Sequence, residues 1–202
     1  GDVTWKEQLT LNFSARNDWN STLTYANGTG EYGYFYPSVG VSYVFTDMIE
    51  KMNGNLPNWV TFGKFRASYA EVGNDLAPYS LYNTYEISKD PNGNTNASRR
   101  PVLYDENVLS ELIKGIEVGA EFRFFQNRLG LDVAWYKSNA TRQLINLPMD
   151  PTSGYSSRKI NAGDIQNKGV EIMVDATILN NPDAFSWNLG VNYSANKNTV
   201  ED

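Results

Sequence analysis

The chain has 202 residues, enough for one domain with a sizeable core or for a piece of something larger, and carries a formal net charge of -6. That balance argues against nucleic acid as a partner, because phosphate binding wants Lys and Arg in excess. There is neither Cys nor His, which removes disulfides, thiol nucleophiles and thiolate metal sites. It also removes the usual general base, the usual metal ligand and the Ser-His-Asp triad, so no cofactor is expected.

No apolar run approaches the ~20 residues of a transmembrane helix, and no signal peptide is visible. Aromatic residues make up 13% of the chain, with 13 Tyr and 5 Trp; both residues suit membrane interfaces and stack on sugars. Taken in order, the segments alternate between apolar and polar residues. A strand sends successive side chains to opposite faces, so each such segment is oily on one face and wet on the other.

The first expected strand, 3–17, places Val3, Trp5, Leu9, Leu11 and Phe13 on one face and Thr4, Lys6, Thr10, Asn12 and Ser14 on the other. The second, 34–46, sets Val39, Val41, Tyr43 and Phe45 against Ser38, Gly40, Ser42 and Thr46. A short helix capped by Asp47 is expected to follow, running through Met48, Ile49 and Met52 and ended by Asn53-Gly54 and Pro57. The third strand, 60–72, opposes Phe65, Ala67 and Tyr69 to Lys64, Arg66 and Ser68. The fourth, 114–125, opposes Ile116, Val118, Ala120, Phe122 and Phe124 to Glu117, Gly119, Glu121 and Arg123. Strands at 129–146, 166–179 and 185–200 repeat the pattern, for instance with Leu131, Val133 and Trp135 against Asp132, Ala134 and Tyr136. The periodicity is two throughout.

Connections alternate in length. Those at about 18–33, 73–113 and 147–165 are long; Asn127-Arg128 and Asn180–Ala184 are tight. Outer-membrane barrels have long loops outside and short turns on the periplasmic side. The expected fold is therefore all-β, an antiparallel meander of about seven strands forming part of a large transmembrane β-barrel, with lipid on one face and water on the other. A two-residue turn at Asn127-Arg128 would make paired positions sum to about 255. Arg123 would then face Asp132 as a lumen-facing pair, with Phe124 opposite Leu131.

Three groups of residues invite a chemical reading. Glu117 with Glu121, and Glu171 with Asp175, share a face as a glycosidase pair would, but a water-filled lumen lined with charge explains them better. Asp90-Pro-Asn-Gly-Asn-Thr-Asn96 begins like a calcium loop, yet Gly93 comes too early and Pro101 stands where the closing glutamate belongs, so a solvated loop tip is expected. Tyr79, Tyr82 and Tyr85, followed by Arg99 and Arg100, could grip a sugar or peptide from the longest loop.

Four stretches stand out: Tyr36-Pro-Ser-Val-Gly-Val-Ser-Tyr-Val-Phe-Thr46, Phe65-Arg-Ala-Ser-Tyr-Ala-Glu-Val-Gly-Asn74, Asn127-Arg-Leu-Gly-Leu-Asp-Val-Ala-Trp-Tyr136 and Asn161-Ala-Gly-Asp-Ile-Gln-Asn-Lys-Gly-Val-Glu-Ile172. Together they resemble the SusC/RagA family of TonB-dependent outer-membrane transporters. Their order and spacing match from about residue 10 onward; Tyr43 and Ala70 stand where that family more often has Trp and Gly. The resemblance implies a plugged barrel of about 22 strands, of which residues 1–202 would be an internal part of the wall without plug, signal peptide or barrel C-terminus. It further implies the Gram-negative outer membrane, energised import of oligosaccharides or peptides, and TonB and a SusD-like surface lipoprotein as partners, with no enzyme activity.

Such a piece exposes two unpaired strand edges and an apolar face to water, so by itself it is expected to self-associate or need detergent. The competing expectations are a passive porin wall, a weakly supported glycosidase, and a soluble carbohydrate-binding β-sandwich. The sandwich would pack its oily residues inside and would not gather aromatics such as Trp5, Tyr34, Tyr36 and Trp187 near strand ends.

Overall fold

In the computed structural model, the structure describes residues 1–25, 27–30, 33–52, 54–74, 76–77, 81–105, 107–181 and 184–201. Eight strands form one antiparallel sheet: β1 (Asp2–Trp5), β2 (Leu9–Trp19), β3 (Gly33–Val44), β4 (Val60–Asn74), then β8 (Glu111–Phe124), β9 (Leu129–Thr141), β12 (Asp164–Asn180) and β13 (Ser186–Glu201). Each pairs with the next main strand in sequence. Between β4 and β8 lie the hairpin β5 (Tyr85–Lys89) and β6 (Thr95–Arg99), then β7 (Val102–Tyr104). Between β9 and β12 lie β10 (Leu144–Pro148) and β11 (Ser157–Asn161), which joins β10 antiparallel and β7 parallel. The loops expected at 73–113 and 147–165 thus carry small sheets of their own.

The first expected strand is in fact a hairpin. Lys6 and Glu7 adopt positive φ (51° and 59°), and Trp5 pairs with Leu9 and Val3 with Leu11. The paired positions sum to an even number, so the odd lane stays on one face through the turn. This is why the alternation reads as unbroken across it. The strand expected at 129–146 breaks at Arg142, whose φ is 59°, and resumes as β10.

The helix α1 spans Phe45–Lys51 and starts two residues before Asp47, which lies in its first turn rather than at its cap; Val44 occupies that position without a side-chain bond. Packing sets this start. The Phe45 ring lies on Gly63, where a Cβ would come within 2.0 Å of Phe45 Cζ. The backbone N–H of Gly63 donates to the buried Thr46 Oγ1 at 3.3 Å. Phe45 then joins Phe65 and Phe122 (centroids 5.2 and 6.1 Å away), while Trp59 meets Phe124 at 5.6 Å. Asn53 lies outside the described residues.

The β8–β9 register differs from the expected one by two residues. Phe124 pairs with Leu129, Phe122 with Leu131 and Glu121 with Asp132, so Arg123 stands opposite Gly130 and not opposite Asp132. The turn has four residues, Phe125 to Arg128, with Phe125, Gln126 and Asn127 all at positive φ. Its leading N–H groups are satisfied by β4 and the chain before it. Phe125 N–H donates to Trp59 O at 2.8 Å and Gln126 N–H to Thr61 Oγ1 at 2.9 Å. A two-residue shift leaves every side chain on its expected face but changes its opposite number.

One face of the sheet is an apolar field. Across β8, β9, β12 and β13 one row reads Phe122, Leu131, Val174 and Val191; the next reads Ala120, Val133, Ile172 and Tyr193. Among the described residues no second layer packs over it, Phe45 and Trp59 touching only its edge beside α1: Val118 is 48% exposed and Val191 53%. The buried cluster lies elsewhere, among the long connections, where Leu23, Tyr34, Tyr36, Leu81 and Val108 meet Tyr25, Leu76, Tyr104 and Leu144. Tyr34 and Tyr36 belong to this cluster and to the polar face, not to an outer aromatic belt. Asn161 ties it together, donating to Leu109 O and Arg142 O (2.8 Å each) and accepting from Leu109 N–H at 2.7 Å.

Candidate functional site

The opposite face is polar and is crossed by ion pairs that skip a strand. Arg66 on β4 reaches over β8 to Asp132 on β9, donating through Nη1 and Nη2 at 2.9 and 2.8 Å; its Nε lies 3.6 Å from Glu117. Arg123 on β8 reaches over β9 to Asp175 on β12 at 2.7 Å and also donates to Glu121 at 3.1 and 3.2 Å. Lys64 approaches Glu121 at 3.9 Å.

Each crossing needs a residue without a side chain beneath it. Gly119 pairs with Arg66 across the β4–β8 ladder, and a Cβ there would lie 2.6 Å from Arg66 Cζ. Gly130 pairs with Arg123, and a Cβ there would lie 2.0 Å from Arg123 Nη1 and 2.3 Å from Asp175 Oδ1. Planar guanidinium groups suit such spans, and that from Arg66 to Asp132 is bidentate. Arg123 and Asp132 share this face as expected, but each is held by a different partner. The carboxylates noticed as possible glycosidase pairs are in part these partners: Glu117, Glu121 and Asp175 face arginines.

Beside the ion pairs runs a groove of about 450 Å³ lined by Arg66, Glu117, Asp132, Tyr136, Glu171 and Ser194, among others. It joins cationic, anionic and aromatic groups along one wall, which suits contact with a polar, hydrogen-bonding molecule.

The second candidate lies among the long connections. Tyr85 pairs with Arg99 across the β5–β6 hairpin. The Arg99 guanidinium lies 5.9 Å from the Tyr85 ring and 4.9 Å from that of Tyr155. These contacts hold the Arg99 guanidinium above its ordinary pKa, led by the hydrogen bond with Tyr85. Tyr155 was not singled out from sequence, for it belongs to a different loop and carries no spacing signal. Gly154, at φ 81°, brings it there. Arg100 turns instead to Glu86 at 3.6 Å. Tyr82 is half-buried, and Tyr79 lies outside the described residues.

The Asp90 stretch is the tip of the β5–β6 hairpin. The Asp90 carboxylate accepts from the Asn94 side chain (3.1 Å) and from the backbone N–H groups of Asn94 and Asn92 (2.9 Å each). These bonds, the Asn94 side chain first, hold Asp90 below the usual carboxylate range. A lowered folded value means that the contribution is fully present above the ordinary value of about 3.9 and is lost as pH falls through the lowered one. Amide exchange at Asn92 and Asn94 is therefore expected to accelerate at acid pH beyond the intrinsic trend, and Asp90→Asn to flatten that dependence.

An open antiparallel sheet, apolar and without a second layer on one side and laced with ion pairs on the other, has the pattern of a β-barrel wall that does not close on itself among the described residues. The family model described as TonB dependent receptor-like, beta-barrel matches residues 1–202, and the chain belongs to that family. It is 30% identical over 193 residues to TonB-dependent receptor P3 of Formosa agariphila, covering 93% of this chain and 18% of that protein. It is 25% identical to TonB-dependent receptor P26 of the same organism, covering 98% of this chain and 20% of that one.

Among solved structures, that of the RagAB peptide importer in its open-open state superposes with a TM-score of 0.82 at 21% identity, over 100% of this chain and 21% of the other. The siderophore receptor PirA of Pseudomonas aeruginosa gives 0.58 at 15% identity, over 96% of this chain and 32% of the other. The chain thus spans about a fifth of the length of the curated relatives it matches. The receptor family expected from the four motifs is the one found, and it is a family of transporters and receptors rather than of enzymes.

Proposed function

We propose that this chain supplies wall and outer loops of a SusC/RagA-type transporter in the outer membrane of a Gram-negative bacterium, importing large nutrients such as oligosaccharides or peptides. One observation carries the reading: an eight-stranded sheet has no second layer over its apolar face among the described residues, while ion pairs across β4, β8, β9 and β12 organise the opposite face. A soluble sandwich would cover the first face, and no second sheet does so among the described residues.

In this reading the polar face looks into the lumen, with Arg123 and Asp132 lining it, and the long connections look outward. TonB would supply energy through a plug elsewhere in the protein, and a SusD-like lipoprotein would cap the loops. A solute carrying hydroxyl or amide groups would meet Tyr85, Arg99 and Tyr155 first and the Arg66–Asp132 groove later. The likeness to the peptide importer favours peptides as the first class to test.

The orientation is tested by placing cysteines at neighbouring positions in the intact receptor in membrane vesicles. A nitroxide attached at Leu131→Cys before reconstitution is expected to be relaxed by oxygen dissolved in the lipid, and one at Asp132→Cys only by a water-soluble nickel chelate that enters the lumen. The reverse pattern would overturn the reading. For binding, Arg99→Ala and Tyr155→Ala in the intact receptor are each expected to weaken capture of the imported ligand about tenfold, on the order of one cation–π contact with its packing. Uptake of labelled peptide and oligosaccharide mixtures by cells carrying each variant would show it.

A further inference from the structure

On the apolar face, four adjacent strands end their oily run with a lysine on the side of the long connections. On β8, Ile116 and Val118 lead to Lys114; on β9, Val133 and Trp135 lead to Lys137; on β12, Ile172 and Val170 lead to Lys168; on β13, Tyr193 and Ala195 lead to Lys197. Lys114 is matched by Glu71 at 3.5 Å. The other three are not matched. Lys137 stands directly opposite Lys168, and Lys168 directly opposite Lys197.

Like charges directly opposite one another on neighbouring strands destabilise a sheet. None of these three lysines has an ion pair or hydrogen bond among the described residues. The nearest carboxylates on this face of β12 and β13, Asp164 and Glu201, are four residues further along their strands, roughly 13 Å at the rise of an extended chain. Asp164 is moreover engaged by Asn139. The row is thus a concentrated, uncompensated positive charge along the border of an apolar field.

A second feature lies against it. A groove of about 390 Å³ runs beside two of these lysines, lined by Trp135, Val170, Tyr193 and Ala195 below Lys168 and Lys197. Its floor is apolar and its end is cationic, so it fits a molecule with a hydrocarbon chain and an anionic head.

We propose that the Lys137–Lys168–Lys197 row binds the phosphate of a lipid headgroup in the outer leaflet, with an acyl chain lying in the groove beside Trp135 and Tyr193. The inference rests on the outward, lipid-facing reading of this face. Within the membrane the lysine stems lie along the apolar border while the ammonium groups reach the headgroup layer. Three ammonium groups about one strand spacing apart converge on one phosphate monoester, whose charge offsets their mutual repulsion. The lipid would then act as the counter-ion that the sheet itself lacks, fixing the barrel's depth on this side.

The test uses the intact receptor, delipidated in a neutral detergent and titrated with dioleoyl phosphatidic acid, bound lipid being counted by native mass spectrometry. Dioleoylglycerol serves as the probe without a phosphate. The triple variant Lys137→Gln, Lys168→Gln, Lys197→Gln is expected to bind phosphatidic acid at least about tenfold more weakly. The corresponding triple Lys→Arg variant is expected to bind like the original, and dioleoylglycerol to bind all three alike and weakly. Equal binding of phosphatidic acid by the Gln variant would overturn the proposal. So would full displacement of the lipid by millimolar inorganic phosphate, which would make the row a site for free anions. Oxygen relaxation of the nitroxide at Leu131→Cys separates the two levels. If that nitroxide is relaxed by oxygen and the Gln variant still binds, the lysine proposal alone fails; if it is relaxed only by the nickel chelate, the lipid-facing reading fails with it.

Discussion

Val133→Arg is expected to destabilise the intact barrel by about 2–4 kcal/mol in a bilayer, the cost of a cation on the lipid face near the midplane of an outer-membrane barrel. Val133 sits in the apolar row with Ala120, Ile172 and Tyr193, four residues after the start of its strand and four before Lys137. Ser68→Arg, on the polar face between Gly40 and Glu117, is expected to change stability by no more than about 0.5 kcal/mol, as surface substitutions usually do. Urea unfolding from phosphatidylcholine vesicles measures both. Similar costs for the two substitutions would mean that the faces do not divide lipid from water. The loss at Val133 should also shrink in thinner bilayers, where arginine reaches the interface more readily, and a soluble sandwich would show no such dependence.

The second large effect concerns the glycines beneath the arginines. Gly130→Ala puts a methyl group where Arg123 and Asp175 now meet. The side chains can move aside, so the cost is the lost charge-assisted hydrogen bond rather than a backbone clash. For a pair that is partly exposed, screening brings this to roughly 1–2 kcal/mol, at the lower end of bonds to charged groups. The diagnostic is coupling. In an Arg123→Ala background, Gly130→Ala is expected to cost almost nothing, leaving the same roughly 1–2 kcal/mol as interaction in a double-mutant cycle. If Gly130→Ala costs the same with and without Arg123, the glycine serves the backbone and not the ion pair. The same cycle with Gly119 and Arg66 probes the second crossing, where the bidentate bond to Asp132 is at stake.

These crossings show how far the sequence carries. Its period of two assigns nearly every main-strand residue to the correct face, because alternation is a local property of extended backbone. Leu131 reads as apolar-facing and Asp132 as polar-facing from the chain alone, and the helix after β3 is visible as a short Met- and Ile-bearing stretch. The four motifs also correctly indicate the receptor family. Part of their content is physical: Asn161 closes three hydrogen bonds between loops, Gly163 takes a positive φ of 79°, and Gly169 lies under Tyr136.

What alternation cannot convey is which residue stands opposite which. The β8–β9 register depends on a four-residue turn whose first two N–H groups are bonded to Trp59 and Thr61, residues about 65 positions earlier. Nothing local to Asn127-Arg128 reports that bond. A shift of two residues preserves every face, so the pattern that specifies the faces is blind to it. The partners of Arg66 and Arg123 lie two strands away and are reachable only because glycine occupies the strand between, a condition set by register. The stacking of Arg99 on Tyr155 likewise joins two loops that meet only in space, and the lysine row exists only once three strands have come into register. Faces and family were therefore determined by the sequence itself, through short-range stereochemistry and motif spacing. Partners, ion-pair crossings and loop contacts were decided by the tertiary structure, through distances between strands that no single segment contains.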